Sequence, residues 1–119
     1  MKILIADDSR LFRERIRELI KDINDAAKIT EVSNGADALK EIIDNEPDLV
    51  FLDIRMPLLS GIKVLQKVKE LKLQTKIITV TNFHYKQYRE KSMNYGAYRF
   101  YNKSDDITNI KNEISKILK

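Results

Sequence analysis

The sequence is poor in residue types on which many binding and catalytic sites depend. It has no cysteine, which excludes disulfide bonds and thiolate metal sites and agrees with a reducing compartment. Its three glycines form no phosphate-cradling loop, so nothing indicates a flavin or nucleotide site. The one histidine, His84, begins a polar helical pattern, which favours a surface position over a phosphocarrier role.

Long apolar runs are also missing. No stretch approaches the ~20 residues that a bilayer-spanning helix needs. The apolar N-terminal segment is too short for the core of a signal peptide and runs directly into Asp7 and Asp8. We therefore expect a cytoplasmic protein that makes no membrane contact.

The composition is that of one globular domain with an uneven charge distribution. The chain has 119 residues, of which 43% are hydrophobic and 34% charged. Residues 84–119 carry 8 Lys and Arg against 4 Asp and Glu, whereas residues 1–83 carry 14 of each, so the net charge of +4 lies in the last third. Seven of the nine aromatic residues fall at 83–101. This region could meet an acidic partner or nucleic acid, or be a solvated face.

Five strand patterns alternate with five helical patterns along the chain. The predicted strands lie at 3–6, 28–33, 48–53, 76–81 and 98–103, and the third is nearly all apolar, as in a central strand covered on both faces. The fourth helix, at 84–95, is polar and ends at Gly96, and residues 104–106 are candidate caps for the fifth. The apolar faces of the other four helices are Leu11, Phe12, Ile16, Leu19, Ile20 and Ile23; Ala38, Leu39, Ile42 and Ile43; Ile62, Leu65, Val68 and Leu71; and Ile107, Ile110, Ile114, Ile117 and Leu118.

This alternation predicts the fold class. Five strand–helix units form a doubly wound α/β domain whose five parallel strands have the order 2-1-3-4-5. Strands 1 and 3 are then neighbours at the switch point, and ligands bind outside the carboxyl ends of the strands there.

Polar residues stand where four of these strands end. They are Asp7 and Asp8, Asp53, Thr81 and Lys103. Each taken alone would more often be a turn, cap, strand or surface residue, but together they place three carboxylates, a hydroxyl and an ammonium at one edge. Oxygen ligands without His or Cys suit Mg²⁺, which often also takes phosphate oxygens as ligands.

Asp53 is the best candidate for a nucleophile because it ends the central strand and a loop follows it. A carboxylate can accept a phosphoryl group as an aspartyl phosphate. Mg²⁺ and Lys103 would neutralise charge on the phosphoryl oxygens, and Thr81 would donate a hydrogen bond to one of them.

These motifs resemble the response-regulator receiver domain of two-component signalling. They are Asp7-Asp8, residues 53–61, Thr81, Gly96-Ala97 and Lys103, and the resemblance covers residues 1–119. It implies a flavodoxin-like fold and a phosphorelay switch that takes a phosphoryl group from a sensor histidine kinase or phosphotransfer protein. Such a domain is a phosphoacceptor and not an enzyme with a separate substrate.

The resemblance also implies a role for each site residue. Asp53 would be the phosphoacceptor, and Asp8 and Asp53 would ligate Mg²⁺ with the backbone carbonyl of Arg55, while Asp7 would assist through water. Thr81 and Phe100 would form the switch, although Phe100 alone would be read as ordinary core. A downstream protein would bind helix 4, strand 5 and helix 5, and a phosphorylation-dependent homodimer is also compatible. The residues expected on that surface are Tyr85, Tyr88, Arg89, Tyr95 and Arg99.

The sequence departs from the receiver pattern at a few positions. Ser104 stands where many receivers carry a proline after a cis peptide bond, and a cis bond without proline costs roughly 2.5–4 kcal/mol. Lys103-Ser104 resembles receivers attached to helix-turn-helix outputs. Asn82 is bulkier than the usual small residue, and Arg55 and Phe83 flank the expected water path, which predicts slow autodephosphorylation.

Several other functions stay open at this stage. The chain could be the receiver of a longer DNA-binding transcriptional regulator, or a phosphorylation-independent interaction module. An aspartyl-phosphate hydrolase is disfavoured because Asp53 is followed by Ile54-Arg55 rather than by a second carboxylate two residues later. Direct nucleic-acid binding by this domain is not expected, since no recognition motif accompanies the basic region.

Overall fold

A computed structural model describes residues 1–82, 86–104 and 106–118. The strands are β1 (Lys2–Ala6), β2 (Lys28–Val32), β3 (Leu49–Asp53), β4 (Lys76–Thr81) and β5 (Arg99–Asn102). The helices are α1 (Arg10–Ile23), α2 (Gly35–Asn45), α3 (Gly61–Glu70), α4 (Lys86–Asn94) and α5 (Ile107–Leu118). The expectations for Phe83, His84, Tyr85 and the candidate cap Asp105 concern residues outside those described.

The sheet has the predicted topology. Its five strands are parallel and follow the order β2-β1-β3-β4-β5. β1 and β3 are paired from Ile3 with Leu49 to Ala6 with Leu52, so both strands end at the same level. The residues that follow β1 and close β3 are therefore brought side by side.

Helices cover both faces of the sheet and create two apolar layers. Ile3 and Ile5 of β1 face the layer formed with α1 and α5, whereas Leu4 and Ala6 face the layer formed with α2 and α3. Every residue of β3 is buried, as predicted for a central strand. This packing fixes the carboxyl ends of the inner strands in position.

Side-chain caps begin three of the helices. Ser9, Asn34 and Ser60 each accept a hydrogen bond from the backbone N–H three residues later, at 3.2, 2.7 and 3.2 Å. Such caps pair N–H groups that the first helical turn leaves without a partner. Two of the caps belong to helices whose first residue is a glycine, Gly35 or Gly61.

Three residues assigned to buried helix faces are exposed instead. Leu11 is 77% exposed, Ile43 45% and Leu71 52%. Leu11 is the neighbour of the buried Phe12, and Ile43 is the neighbour of the buried Ile42. Neighbouring residues are rotated by ~100° around a helix, so Leu11 and Ile43 point toward solvent. Leu71 lies beyond the last residue of α3, and Val64 occupies the buried stripe that it was expected to extend.

Helix α4 is the most weakly packed helix by its sequence and burial. Its one buried residue within Lys86–Asn94 is Ser92. Gly96 follows the helix end in a left-handed conformation with φ of +88°, which confirms it as the residue that ends the helix. None of the helices in the described ranges is long and apolar enough to cross a membrane.

Candidate functional site

Three predicted site carboxylates meet at the carboxyl edge of the sheet. Asp7 and Asp8 follow β1, and Asp53 is the last residue of β3. One carboxylate oxygen from each lies within 4.8 Å of the other two. Asp7 and Asp53 are buried, and Asp8 is exposed, so the cluster is closed on the sheet side and open toward solvent.

Lys103, which follows β5, provides the positive charge of the site. Its Nζ lies 2.6 Å from Asp7 Oδ2 and 3.5 Å from Asp53 Oδ2. The ammonium also lies 4.7 Å from the centre of the Phe12 ring, and the residue is only 8% exposed. The backbone N–H of Lys103 donates to the carbonyl of Thr81 at 2.8 Å, which ties the ends of β4 and β5 together.

Asp7 is held on both of its oxygens. Oδ1 accepts the backbone N–H of Ser9 at 2.9 Å, and Oδ2 receives the Lys103 ammonium. Its carbonyl accepts a guanidinium N–H of Arg13 at 2.7 Å. This carboxylate is therefore well placed to orient Lys103.

Burial raises the pKa of both inner carboxyls. The pKa of Asp53 is raised to about 7, first by desolvation and then by the charge of Asp7, against the opposing effects of Lys103 and the Arg55 N–H. The pKa of Asp7 is also raised by burial, and its contact with Lys103 opposes the rise. One lysine thus compensates only part of the charge, and a bound cation would favour the ionised cluster.

The loop from β3 to α3 curls back on the acidic cluster. The Arg55 N–H donates to Asp53 Oδ1 at 3.4 Å, and the Gly61 N–H donates to the carbonyl of Ile54 at 2.8 Å. The second hydrogen bond closes the loop at its base. Arg55 itself is exposed, and so is Asn82 after β4.

An open groove of about 920 Å³ leads from Asp53 between α3 and α4. The outer wall of the groove was not predicted from the sequence, because Lys63, Gln66 and Lys91 lie on polar helix faces that match no motif. These three residues come together only because α3 lies beside α4, and no local sequence signal reports that packing. The groove is lined by Asp8, Ser9, Asp53, Ile54, Arg55, Met56, Pro57, Ser60, Ile62, Lys63, Gln66, Asn82, Tyr88, Lys91 and Lys103.

The two residues predicted to form the switch are buried near the site. Thr81 closes β4 and is 0% exposed, while Phe100 in β5 is 8% exposed. The Arg89 guanidinium covers the Phe100 ring, 4.8 Å from its centre. Their roles in switching stay a prediction. The peptide bond between Lys103 and Ser104 is trans, so the cis bond of many receivers is not present at this position.

The four described residues among those predicted for a partner surface have different surroundings. Tyr88 lines the groove beside Asp53, and Tyr95 packs against the apolar layer of α2 and α3. Arg89 lies over Phe100, and Arg99 donates to Glu113 of α5 at 2.9 Å. Tyr85 lies outside the described residues. Contacts with a partner stay a prediction for all five.

Comparison with known proteins gives a consistent family. The family model of the response regulator receiver domain matches residues 3–115. A putative transcriptional regulator of Pseudomonas aeruginosa is 32% identical over 109 residues, which are 92% of this chain and 52% of that protein. The chemotaxis protein CheY of Halobacterium salinarum is 29% identical over 117 residues, 98% of this chain and 96% of that protein. The crystal structure of a DNA-binding response regulator of the LuxR family from Staphylococcus aureus has a TM-score of 0.87 and 31% identity, and covers 99% of this chain and 98% of its own.

The matched proteins differ in length. This chain spans 52%, 60% and 35% of three curated relatives that it matches, but 96% of the CheY protein. The matched segment is therefore found both as most of a small protein and as part of larger ones. With the sheet order, the acidic cluster and a family match over residues 3–115, the chain belongs to the response regulator receiver domains of two-component signalling.

Proposed function

We propose that this receiver domain is a switch that is phosphorylated on Asp53 by a sensor histidine kinase or a phosphotransfer protein. The observation that carries the proposal is the position of the Asp53 carboxylate. It lies beside two further carboxylates and 3.5 Å from the Lys103 ammonium, at the inner end of an open groove. Within the described residues this groove offers a phosphoryl donor a route to the carboxylate, while the rest of β3 is buried.

The transfer would be a displacement at phosphorus. An oxygen of the Asp53 carboxylate attacks and forms the new O–P bond, while the P–N bond to the donor imidazole breaks. The imidazole nitrogen keeps the electron pair and takes up a proton. Lys103 Nζ lies where it would contact a phosphoryl oxygen on Asp53, and the Thr81 hydroxyl would donate to another.

The acidic cluster fits a magnesium ion. Its donors are carboxylate oxygens, the ligands that Mg²⁺ prefers, and the raised pKa values of Asp7 and Asp53 indicate charge that a cation would stabilise. Asp8, Asp53 and the carbonyl of Arg55 would hold the ion, with Asp7 acting through water. When bound, Mg²⁺ would neutralise negative charge on the phosphoryl oxygens.

Asp7 would act by orienting Lys103. Both Asp7 oxygens already have partners, and its 2.6 Å contact places the Lys103 ammonium within reach of Asp53. Phosphorylation adds negative charge at Asp53, so Lys103 would strengthen that contact without a large movement. The site is in this sense organised before the phosphoryl group arrives.

The output would be a shift between two arrangements of Thr81, Phe100 and α4. Thr81 would turn toward the phosphoryl oxygen, and Phe100 would respond beneath Arg89, which lies 4.8 Å from its ring centre. The surface of α4, β5 and α5 would then present a changed shape to a downstream protein or to a second copy of this chain. Helix α4 is weakly packed, with Ser92 as its buried residue, which supports its proposed movement.

The aspartyl phosphate would be long-lived, because Arg55 and Phe83 would crowd the attacking water. Arg55 lines the groove beside Asp53, and Phe83 lies outside the described residues. We expect Arg55→Ala and Phe83→Ala each to shorten the lifetime of the phosphorylated form. Intact mass spectrometry at successive times after removal of the phosphodonor measures that lifetime. Unchanged lifetimes in both variants would show that these side chains do not protect the phosphoryl group.

A second candidate is a receiver that controls a DNA-binding segment of a longer chain. It is favoured by the relatives of which this chain spans about half, and by the DNA-binding response regulator that it resembles in structure. The size of the protein produced from the natural gene would decide it. A product close to 119 residues would exclude a fused DNA-binding domain.

Intact mass spectrometry after incubation with Mg²⁺ and acetyl phosphate tests the primary proposal. Wild type should gain one phosphoryl group, and Asp53→Asn should gain none. Omission of Mg²⁺ should suppress the gain in wild type. If wild type neither gains a phosphoryl group nor binds Mg²⁺, the domain is an interaction module that works without phosphorylation. Binding of Mg²⁺ without any gain would mean that access of the donor to Asp53 is blocked.

A further inference from the structure

Gly35, the first residue of α2, contacts the loop that follows β3 although it is distant from it in the sequence. Its N–H donates to the carbonyl of Pro57 at 3.2 Å. A Cβ at Gly35 would lie 1.8 Å from the carbonyl oxygen of Leu59 and 2.6 Å from its carbonyl carbon. Both atoms belong to the backbone, so no side-chain rotation could relieve the overlap. Only glycine lets α2 approach the loop this closely.

The conformation of Gly35 does not itself require glycine, because its φ lies outside the left-handed range. Alanine is the better helix former at this position, so local propensity would favour replacing the glycine. The close approach of α2 to the loop after β3 is the remaining physical reason for a glycine at position 35. Gly96 has the opposite character, with φ of +88° and nothing within 4 Å of the position of a Cβ.

The contacted loop has little freedom to move away. Its base is closed by the Gly61 N–H on the Ile54 carbonyl at 2.8 Å. The Leu59 N–H donates to the Pro57 carbonyl at 2.8 Å, which closes a γ-turn around Leu58 with φ of +68°. Turns of this kind are rare and strained for residues other than glycine. The Leu59 side chain is anchored in the apolar layer of α2 and α3.

Arg55 lies inside this closed loop, one residue after Ile54. Its N–H reaches the Asp53 carboxylate, and its carbonyl is the proposed backbone ligand of Mg²⁺. If a Cβ at residue 35 displaced Leu59, the loop between Ile54 and Gly61 would have to change its conformation. That segment carries the Arg55 carbonyl. The loop is also tightly packed at Gly61, where a Cβ would lie 2.1 Å from the Asp53 carbonyl oxygen.

We propose that Gly35 is a positioning residue for the metal and phosphoacceptor site. The start of α2 braces the loop after β3 and thereby fixes the Arg55 carbonyl and the Asp53 carboxylate relative to each other. Mg²⁺ affinity then depends on a residue that contacts neither the ion nor the phosphoryl group. The inference rests on the proposed binding of Mg²⁺.

Calorimetric titration with Mg²⁺ tests the inference on wild type, Gly35→Ala and Gly96→Ala, each first shown to be folded by urea denaturation. Gly35→Ala should bind Mg²⁺ at least about 10-fold more weakly, the loss typical of residues that orient metal ligands. Gly96→Ala is the matched control. It should lower the urea midpoint, because alanine is strained at its positive φ, and leave Mg²⁺ affinity unchanged.

Leu59→Ala provides a second route if Gly35→Ala does not fold. It removes the side chain that anchors the loop from the other side and adds no atoms, so it should also weaken Mg²⁺ binding. Wild-type affinity in a folded Gly35→Ala, or in Leu59→Ala if that variant is needed, would overturn the positioning role and leave the proposed function intact. Absence of Mg²⁺ binding in wild type would instead overturn the proposed function, and this inference with it.

Discussion

Asp7 and Asp53 are buried carboxylates that share one buried ammonium, Lys103. At the scale of residues the site is therefore a balance between desolvation, which disfavours charge, and one ion pair, which favours it. The balance is incomplete, since the pKa of Asp53 is raised to about 7. Two measurable consequences for stability follow from this imbalance.

Asp53→Asn should stabilise the metal-free protein at neutral and higher pH. The folded protein keeps a proton on Asp53 at pH values where the unfolded chain, with a pKa near 3.8, has lost it. Stability of the wild type therefore falls as the pH rises from about 4 to about 7, and Asn removes this penalty. We expect a gain of at least about 1 kcal/mol at pH 8, since one pKa unit corresponds to about 1.4 kcal/mol.

Urea denaturation at pH 4, 6 and 8 without divalent ions measures this difference. The gain should shrink toward pH 4. Asp22→Asn, at an exposed position of α1, serves as the control and should show no such pH dependence. An Asp53→Asn variant that is no more stable than wild type at pH 8 would contradict the raised pKa.

Lys103→Met should destabilise the protein strongly at neutral pH. The substitution keeps an apolar stem of similar length but leaves two buried carboxylates without their cation, and breaking a buried pair typically costs about 3–5 kcal/mol. Urea denaturation of Lys103→Met, Asp53→Asn and the double variant measures this loss, and adding Asp53→Asn to Lys103→Met should recover part of it. Purely additive effects would mean that the 3.5 Å contact carries no coupling.

At the scale of elements, α4 differs from the other helices. Its buried residue is Ser92, whose hydroxyl has no hydrogen-bond partner among the described residues. A buried hydroxyl without a partner costs free energy, so this helix is held less firmly than one with an apolar stripe. Weak packing suits an element that is proposed to move between two arrangements.

Ser92→Ala should stabilise the protein by about 1 kcal/mol or more, because it removes an unpaired buried hydroxyl. Ser115→Ala in α5 shares the gain in helix propensity and is the control. The difference between the two variants in urea midpoint isolates the effect of burial. Equal shifts would show that burial of this hydroxyl carries no penalty, and a loss of stability in Ser92→Ala would show that the hydroxyl makes a favourable contact.

Most elements could be predicted from the sequence because their signals are local. Apolar strands ending in Asp53 and Thr81 predicted the sheet edge, and the alternation of five strands with five helices predicted the strand order now seen. Leu11 and Ile43 were misplaced because helical spacing alone defines a broad face and not its edges. The wall formed by Lys63 and Lys91 depends on how α3 packs beside α4, which no local pattern encodes.

At the scale of the whole molecule, the proposed binding of Mg²⁺ would be coupled to folding, because the sheet brings the three carboxylates of the cluster together. A ligand that binds only the folded state stabilises it by about 2.7 kcal/mol at a concentration of 100 Kd. Millimolar Mg²⁺ should therefore raise the melting temperature of wild type in a concentration-dependent way. Asp8→Asn should reduce the effect, since Asp8 is a proposed ligand, whereas an equal response to K⁺ at matched ionic strength would indicate mere screening of charge.

The central claim is that Asp53, and no other carboxylate of the cluster, receives the phosphoryl group. Borohydride reduction of the phosphorylated protein converts an aspartyl phosphate to homoserine, and peptide mass mapping then locates it. The account predicts homoserine at residue 53 alone, dependent on Mg²⁺ and on the phosphodonor. Homoserine at Asp7 or Asp8, or at no position in a protein that has gained a phosphoryl group, would contradict it.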